Sequence, residues 1–172
     1  MKIAIVSDSH DRRQELKAAI DDAVKRGASE ILHCGDVVAP YTLKVSAVHK
    51  IPVHVIHGNN VGDLYMMGKM SANPDNSIEY HGQDAELEIA GKKIFMVHYP
   101  HYAQAMALTG DWDIVCCGHN HQPNIESIKN IKGGETMVLN PGSVGGLGNP
   151  PTYILGDLTE NQFDLIPVEV IT

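Results

Sequence analysis

The sequence has no apolar run that approaches the ~18–20 residues needed to cross a bilayer. Its first apolar segment, residues 2–7, is short and is followed at once by carboxylates. A secretory signal peptide would need a longer apolar region and a cleavage site of small residues. We therefore interpret residues 2–7 as a buried strand, and we expect a cytoplasmic protein with no membrane partner.

Basic residues are outnumbered as well: 13 Lys and Arg stand against 21 Asp and Glu, giving a formal net charge of −8. The adjacent basic pairs do not extend into patches, whereas a broad nucleic-acid surface needs clustered Lys and Arg. This balance argues against a nucleic-acid partner. An anionic substrate would need positive charge from another source, which bound cations could supply.

Cysteine is scarce, with only Cys34, Cys116 and Cys117 in the chain. Three cysteines cannot all pair with one another, and neighbours in a strand point to opposite faces. We interpret them as reduced core thiols, consistent with a reducing compartment. Histidine is plentiful by contrast, because ten occur in 172 residues. This excess is the first sign of a metal site.

The length suits one domain over residues 1–172 with a sizeable core. Apolar residues at helical spacing predict a helix over residues 12–26, which Asp11 can cap and Gly27 can end. The predicted strands of this half cover residues 2–7, 29–34 and 53–57, and two more helices cover about 41–49 and 61–70. Alternating strands and helices indicate right-handed crossovers in a largely parallel sheet.

Beyond residue 76 the pattern changes and predicts a meander over residues 77–98, with turns at His81-Gly82 and Ala90-Gly91. A helix at about 101–109 leads to a strand at 112–117, and the remainder is rich in strands with hairpin-like turns. The expected fold class is α/β, with two packed mixed sheets that form a β-sandwich flanked by helices.

Side chains able to bind metals follow successive apolar strands. The strand ends carry SDSH, CGDV, HGNN, HYPH and CGHNH, in that order. Because parallel strands deliver their C-terminal loops to one edge of a sheet, these five loops should converge on one crevice. The candidate metal ligands are Asp8, His10, Asp36, Asn59, His98, His119 and His121.

Each motif alone has an ordinary explanation, since Asp-x-His pairs are common in loops and Gly-Asp or Gly-Asn pairs often form turns. Two imidazoles within residues 118–121 are the most specific part. All five motifs together, each at a strand end, predict a metal site. Two carboxylates, four imidazoles and one amide are too many for one ion and suit two cations, of the Mn²⁺, Fe, Zn²⁺ or Ni²⁺ type rather than Ca²⁺.

Together with Asn-Pro-Gly-Ser at residues 140–143, this succession resembles the calcineurin-like metallophosphoesterase superfamily. It is most similar to the small prokaryotic phosphodiesterases related to the retromer subunit of the same fold. The resemblance implies hydrolysis of a small phosphodiester by a metal-bridging hydroxide, with Mn²⁺ favoured. It implies that one cation is held by Asp8, His10, Asp36 and His121, and that the other is held by Asp36, Asn59, His98 and His119.

The sequence departs from this family in two places. Asn60 occupies a position where the superfamily often has a histidine, and an amide cannot transfer a proton at neutral pH. No arginine follows Ser143 closely, so Ser143 is a candidate for contact with the phosphate through its hydroxyl. His101, three residues beyond His98, is a candidate for the missing general acid. These expectations make Asn60, His101 and Ser143 the candidate catalytic residues.

Two other functions stay open at this point. The retromer subunit has the same fold but serves as a binding scaffold, and larger superfamily members cleave DNA. All seven ligand positions carry competent residues, which favours an enzyme over a scaffold. The acidic balance argues against a nuclease. Monoesterase activity and a homo-oligomeric state also stay open.

Overall fold

A computed structural model describes residues 1–170 of the chain. Strands and helices alternate in its first half, and strands dominate its second half. The helices are α1 (Arg13–Lys25), α2 (Leu64–Ser71) and α3 (Pro100–Thr109), with 3-10 helices at Pro40–Ser46 and Pro74–Asn76. The strands are β1 (Lys2–Val6), β2 (Ala28–His33), β3 (Val53–Val55), β4 (Ile78–Tyr80), β5 (Asp84–Ile89), β6 (Lys92–Val97), β7 (Ile114–Cys116), β8 (Asn124–Lys129), β9 (Glu135–Asn140), β10 (Thr152–Asp157) and β11 (Gln162–Pro167).

The strands form two mixed sheets. The first has the order β11-β10-β1-β2-β3-β4, in which β1 to β4 are parallel and the β10–β11 hairpin is antiparallel to them. The second has the order β5-β6-β7-β9-β8, with β6, β7 and β9 parallel. This architecture confirms the predicted fold class of two packed mixed sheets flanked by helices.

Three apolar cores hold four layers together. The first core packs α1 and α2 on the outer face of the first sheet, with Leu16 and Ile20 of α1 fully buried. The second core lies between the sheets and joins Ile5 and Leu32 to Ile94 and other residues of the second sheet. The third packs α3 against the outer face of the second sheet. Burial of apolar surface at about 25 cal/mol per Å² is the main force that joins these layers.

The predicted start of α1 is wrong in one respect. Arg12 occupies the position before the helix, and no side chain caps the first turn among the described residues. The carboxylate of Asp11 instead accepts hydrogen bonds from the Ala39 backbone N–H and the Thr42 hydroxyl, both at 2.8 Å. Gly27 ends the helix with a φ of 97°, as predicted. Asp11 therefore ties the loop after β1 to the loop after β2.

Two further elements differ from prediction. The segment predicted as a helix over residues 41–49 is a 3-10 helix, Pro40–Ser46, whose start is fixed by the contacts of Asp11 with Ala39 and Thr42. The predicted meander over residues 77–98 is divided between the sheets. β4 pairs in parallel with β3, because Ile78 belongs to the helix-covered core, and the chain crosses to the second sheet at His81-Gly82. The turn at Ala90-Gly91 joins β5 and β6 as predicted.

The cysteines agree with the interpretation of the sequence as core thiols. Cys34, Cys116 and Cys117 are all buried free thiols, and burial raises the pKa of Cys117. Within residues 1–170 no helix has the length and apolar character that a membrane crossing requires. The expectations of a single domain and of a cytoplasmic location stay predictions.

Candidate metal centre

The seven candidate ligands lie together where the two sheets meet. Loops after β1, β2 and β3 bring residues from the first sheet, and loops after β6 and β7 bring residues from the second. Backbone hydrogen bonds join these loops, from the Asp8 N–H to the Gly35 carbonyl and from the Gly118 N–H to the His98 carbonyl. The edge of each sheet at which its parallel strands end therefore forms one wall of a shared crevice.

Asp8, His10 and His121 form one half of the centre. The Nε2 atoms of His10 and His121 are 3.3 Å apart, and they lie 3.7 Å and 3.3 Å from Oδ1 of Asp8. Asp8 is fully buried, whereas both histidine side chains are partly exposed. One ligand atom from each residue lies within 4.8 Å of the other two, which is close enough to share a cation.

Asp36, Asn59, His98 and His119 form the other half. Oδ1 of Asn59 lies 3.2 Å from Nε2 of His98 and 2.9 Å from Nδ1 of His119. Oδ1 of Asp36 lies 3.5 Å from Nε2 of His98. Its other oxygen, Oδ2, lies 3.6 Å from Nε2 of His10 in the first half. The Asp36 carboxylate therefore faces histidines of both halves, one on each oxygen.

The donor set fits divalent cations, as one buried atom shows. Oδ1 of Asp8 has no hydrogen-bond partner among the described residues, although it is inaccessible to solvent. A buried carboxylate oxygen without a partner is costly unless a cation or a proton satisfies it. Imidazole nitrogens of His10 and His121, which are themselves metal-ligand types, lie 3.7 Å and 3.3 Å from this oxygen. A cation among these atoms would satisfy Asp8 and both rings.

Two glycines beside the ligands are needed because the crevice has no space for a Cβ atom at their positions. A Cβ atom at Gly58 would overlap Oδ1 of Asp36 and would lie 2.6 Å from Nε2 of His98. A Cβ atom at Gly118 would overlap the hydroxyl of Ser7 and would lie 2.5 Å from Oδ2 of Asp8. The Gly-Asn and Gly-His motifs are thus required by close packing of the ligand loops.

The backbone of the ligand loops is unusual. Five of the seven candidate ligands have a positive φ, which is uncommon for residues other than glycine. Such conformations cost energy, and they cluster at functional sites where the surrounding structure enforces them. The residues are Asp8 (55°), His10 (41°), Asp36 (53°), His119 (72°) and His121 (57°).

Both carboxylates are held in their charged form. Burial alone would raise the pKa of Asp36, but the His98 ring nearby and two hydrogen bonds from Asn60 outweigh burial and hold the pKa far below its ordinary value. Burial would likewise raise the pKa of Asp8, but the neighbouring His10 ring and the backbone N–H of His119, which donates to Oδ2 at 2.9 Å, reverse that effect. The centre therefore carries two buried negative charges, which favour the binding of cations.

The histidines respond to these charges in different ways. The carboxylate of Asp8, 3.7 Å from Nε2, raises the pKa of His10. For His98 burial acts to lower the pKa, but the neighbouring Asp36 carboxylate and the hydrogen bond to the Cys34 carbonyl outweigh it and the net shift is upward. Burial lowers the pKa of His119. In the metal-free protein, Asp8 and Asp36 thus attract protons to the rings that a cation would otherwise occupy.

One imidazole is oriented by the backbone. Nδ1 of His98 lies 2.8 Å from the carbonyl oxygen of Cys34, which can accept only from a protonated nitrogen. This bond places the proton on Nδ1 and leaves the Nε2 lone pair facing Asp36 and Asn59. Metal-binding histidines commonly have such a partner on the second nitrogen.

The three candidate catalytic residues have different surroundings. Asn60 lies in the crevice, where its backbone N–H and its side-chain amide donate to the two oxygens of Asp36 at 2.8 and 2.6 Å. Ser143 is buried, and its hydroxyl donates to the Asp8 carbonyl and accepts from the Leu147 N–H. Asn60 therefore positions Asp36, and Ser143 positions the loop that carries Asp8.

His101 is exposed on the first turn of α3, and its ring lies against Tyr99 at a centroid distance of 5.6 Å. Tyr99 in turn packs against His98 and His119, at 5.3 and 4.7 Å. Sequence analysis missed Tyr99 as a component of the crevice. Its position directly after His98, in a loop that follows a buried strand, was the available signal.

The class of protein follows from this fold and this donor set. The calcineurin-like phosphoesterase superfamily domain matches residues 1–161, so the chain belongs to this superfamily. Membership makes it an enzyme of the metal-dependent phosphoric ester hydrolases. The family predicted from the order of motifs is thereby confirmed.

Three relatives illustrate the similarity. The chain is 28% identical to phosphodiesterase MJ0936 of Methanocaldococcus jannaschii over 174 residues, which cover 98% of this chain and 100% of that protein. A solved structure of a novel archaeal phosphodiesterase has a TM-score of 0.86 and 25% identity, covering 97% of this chain and 99% of that one. Vps29 of Entamoeba histolytica, solved with Zn²⁺, has a TM-score of 0.65 and 15% identity, covering 98% and 100%. At that identity Vps29 shows the fold alone.

Proposed function

We propose that the chain is a phosphodiesterase with a dinuclear metal centre, in which Asp36 is shared by the two cations. One observation carries this proposal: the two oxygens of Asp36 face His10 on one side and His98 on the other, at 3.6 and 3.5 Å. A carboxylate placed between two sets of donors is the arrangement that joins two cations in phosphoesterases. The mixed oxygen and nitrogen donors suit Mn²⁺, Ni²⁺, Fe or Zn²⁺, and the resemblance to the small prokaryotic phosphodiesterases favours Mn²⁺ among them.

When bound, such cations lower the pKa of water and neutralise charge that develops on the phosphate. The residues of this chain supply the binding and the orientation. Asp8, His10 and His121 would hold one cation, and Asn59, His98 and His119 would hold the other. Asn60 fixes the rotamer of Asp36 through two hydrogen bonds, so the shared carboxylate keeps its direction between the two halves.

The crevice offers little that could protonate a leaving group. Asn60 cannot transfer a proton, and its amide is already engaged with Asp36. The ring of His101 packs against Tyr99 and Tyr102, and Tyr99 contacts His119. We expect the enzyme to prefer small phosphodiesters whose leaving groups are stable without protonation, such as aryl diesters.

The proposal is tested by assaying bis-(p-nitrophenyl) phosphate with chelator-treated protein, before and after Mn²⁺ is restored. We expect activity only with the metal, and a loss of about 10³-fold or more in the Asp36→Asn variant, equal to ~4 kcal/mol of transition-state stabilisation. Asp111→Asn is the matched control, because Asp111 is exposed and its carboxylate forms an ion pair with the exposed Lys132, outside the metal centre. No turnover with any divalent ion would favour a binding scaffold instead.

A further inference from the structure

A second histidine cluster lies on the first sheet, away from the loops of the metal centre. Three neighbouring parallel strands contribute to it: Glu30 is on β2, His54 is on β3 and Glu79 is on β4, while His81 directly follows β4. The register places His54 opposite Glu79. Sequence analysis placed His81 in a predicted turn and gave His54 and the two glutamates no role.

The face of the sheet on which this cluster lies follows from strand alternation. Val53 and Val55 pack into the core beneath the helices, so His54 between them points to the opposite face. Leu32, which pairs with His54 in register, lies in the core between the sheets. His54 is only 8% exposed, beside the edge strand β4 of this face.

The donor atoms of the cluster converge. Nδ1 of His54 lies 3.0 Å from Nε2 of His81 and 3.5 Å from Oε2 of Glu79. One ligand atom from each of the three residues lies within 4.8 Å of the other two. The imidazole rings are stacked, with centroids 5.2 Å apart and an interplanar angle of 26°. Two imidazole nitrogens and a carboxylate oxygen therefore surround one point.

Glu30 completes the arrangement from the other side of the ring. Its Oε2 lies 3.4 Å from Nε2 of His54, the nitrogen that does not face His81. A carboxylate in this position attracts the ring proton to Nε2 and leaves the lone pair of Nδ1 facing Glu79 and His81. This carboxylate–histidine relationship is the usual support of a metal-binding imidazole.

We propose that His54, His81 and Glu79 form a separate mononuclear site for Zn²⁺, with Glu30 orienting His54. Two imidazoles and one carboxylate are a zinc ligand set, and three protein ligands leave a fourth position for water. Glu79 is largely exposed, so the site is accessible from solvent. The same donors would bind Mn²⁺ more weakly, because affinity for such ligands rises from Mn²⁺ towards Cu²⁺ and Zn²⁺.

The place of this site in the fold indicates a structural role. The His81 N–H donates to the Val55 carbonyl, and the His57 N–H donates to the Gly82 carbonyl. A cation at His54 and His81 would therefore fasten the crossing between the sheets to β3, the strand that leads to Asn59. We expect Zn²⁺ to raise the thermal stability of the protein through this site, since a ligand that binds only the folded state stabilises it.

Metal counting in the full chain tests this proposal without reference to activity. Chelator-treated protein is dialysed against Zn²⁺ and analysed for bound metal, alongside His81→Gln and the matched control His49→Gln. His49 contacts Asp21 and lies outside both clusters. We expect one Zn²⁺ fewer per chain in His81→Gln than in the wild type, and no loss in His49→Gln. Equal zinc content in wild type and His81→Gln would overturn the proposal.

The double variant Asp8→Asn, Asp36→Asn separates this site from the dinuclear centre. We expect it to keep one Zn²⁺ and to gain thermal stability when zinc is added. Adding His81→Gln should abolish both effects, and Glu79→Gln, at an exposed position, should weaken them if His81→Gln fails to fold. Should the dinuclear proposal fail while this one holds, the wild type would bind a single zinc that His81→Gln removes. A double variant that binds no zinc would refute the separate site.

Discussion

Two histidine-rich regions, the candidate metal centre where the two sheets meet and the cluster of His54, Glu79 and His81 on the first sheet, are built in opposite ways. The metal centre uses loop residues, of which Asp8, His10 and Asp36 on this sheet have positive φ angles. The second cluster, made of His54, Glu79 and His81 and called the strand cluster below, takes His54 and Glu79 from regular, paired strands. The geometry of the metal centre requires strained backbone and buried charge. The geometry of the strand cluster follows from the ordinary register of neighbouring strands.

This difference in backbone strain predicts how each region should respond to amino-acid substitutions. Strained loops that hold buried carboxylates depend on every neighbour that enforces their conformation. Gly58 and Gly118 are such neighbours, because a Cβ atom at either would overlap an atom of the crevice. A cluster made by strand register depends only on its own side chains. Substitutions that disturb the loops should therefore abolish activity while leaving the strand cluster intact.

The largest expected effect is that of Gly118→Ala. The added methyl group would overlap the Ser7 hydroxyl and press on Oδ2 of Asp8, displacing a ligand loop. Displacement of reacting groups by about 1 Å can cost ~10²-fold in rate, so we expect a loss of that size or greater with Mn²⁺. Gly68→Ala is the control, because a Cβ atom there contacts nothing within 4 Å. In Gly118→Ala, zinc binding to His54 and His81 should be unchanged. Full activity of this variant would show that the ligand loops can accommodate the added methyl group.

The second prediction concerns the acid sensitivity of the loop region. Burial lowers the pKa of His33 to about 4, and among the described residues its ring forms a hydrogen bond with the Ser9 hydroxyl alone, through Nε2. The unfolded chain binds this proton at its ordinary pKa of about 6.5, so stability is lost as pH falls from there towards 4. Over that range the free energy of unfolding should fall by up to about 3 kcal/mol more in the wild type than in His33→Gln.

Chemical denaturation at several pH values, with chelator present, measures this difference. Since His33→Gln keeps a group that can bond to Ser9, the two proteins should converge in behaviour near neutral pH. Parallel curves for wild type and His33→Gln would mean that His33 is protonated in the folded protein.

Asn60→Ala should have a smaller effect on turnover. This variant tests whether Asn60 positions Asp36 or transfers a proton. Loss of a hydrogen bond to a charged group costs about 1.5–3 kcal/mol, so turnover of nitrophenyl diesters should fall about tenfold or more. The ratio of nitrophenyl to alkyl diester rates should be high in the wild type and unchanged in the variant, because Asn60 transfers no proton. Similar rates for the two substrate types in the wild type would contradict this account.

Much of the fold could be predicted because local patterns decide it. Continuous apolar runs predicted β1 and β2 closely, and helical spacing of buried residues predicted α1 to within one residue. Pairing between distant strands could not be predicted in the same way. β4 joins the first sheet because Ile78 packs beneath the helices, and no turn signal at His81-Gly82 distinguishes a sheet crossing from a hairpin.

For the candidate metal centre, too, the sequence predicted the residue types but not their three-dimensional arrangement. Ligand types at strand ends predicted the seven residues that the structure brings together. Their mutual distances, and the strained conformations of residues such as His119 and His121, depend on how the two sheets pack. The cluster of His54, Glu79 and His81 escaped prediction because its members are set by parallel register between strands, which leaves no motif in the sequence.

The central claim is that Asp36 joins two cations, and electron paramagnetic resonance of the Mn²⁺-loaded protein tests it most directly. The His81→Gln variant is the suitable protein, because it removes the separate histidine cluster from the count. We predict two Mn²⁺ per chain and a spectrum of exchange-coupled ions, with coupling lost in Asp36→Asn. A single bound Mn²⁺, or two ions that give uncoupled spectra, would contradict the account.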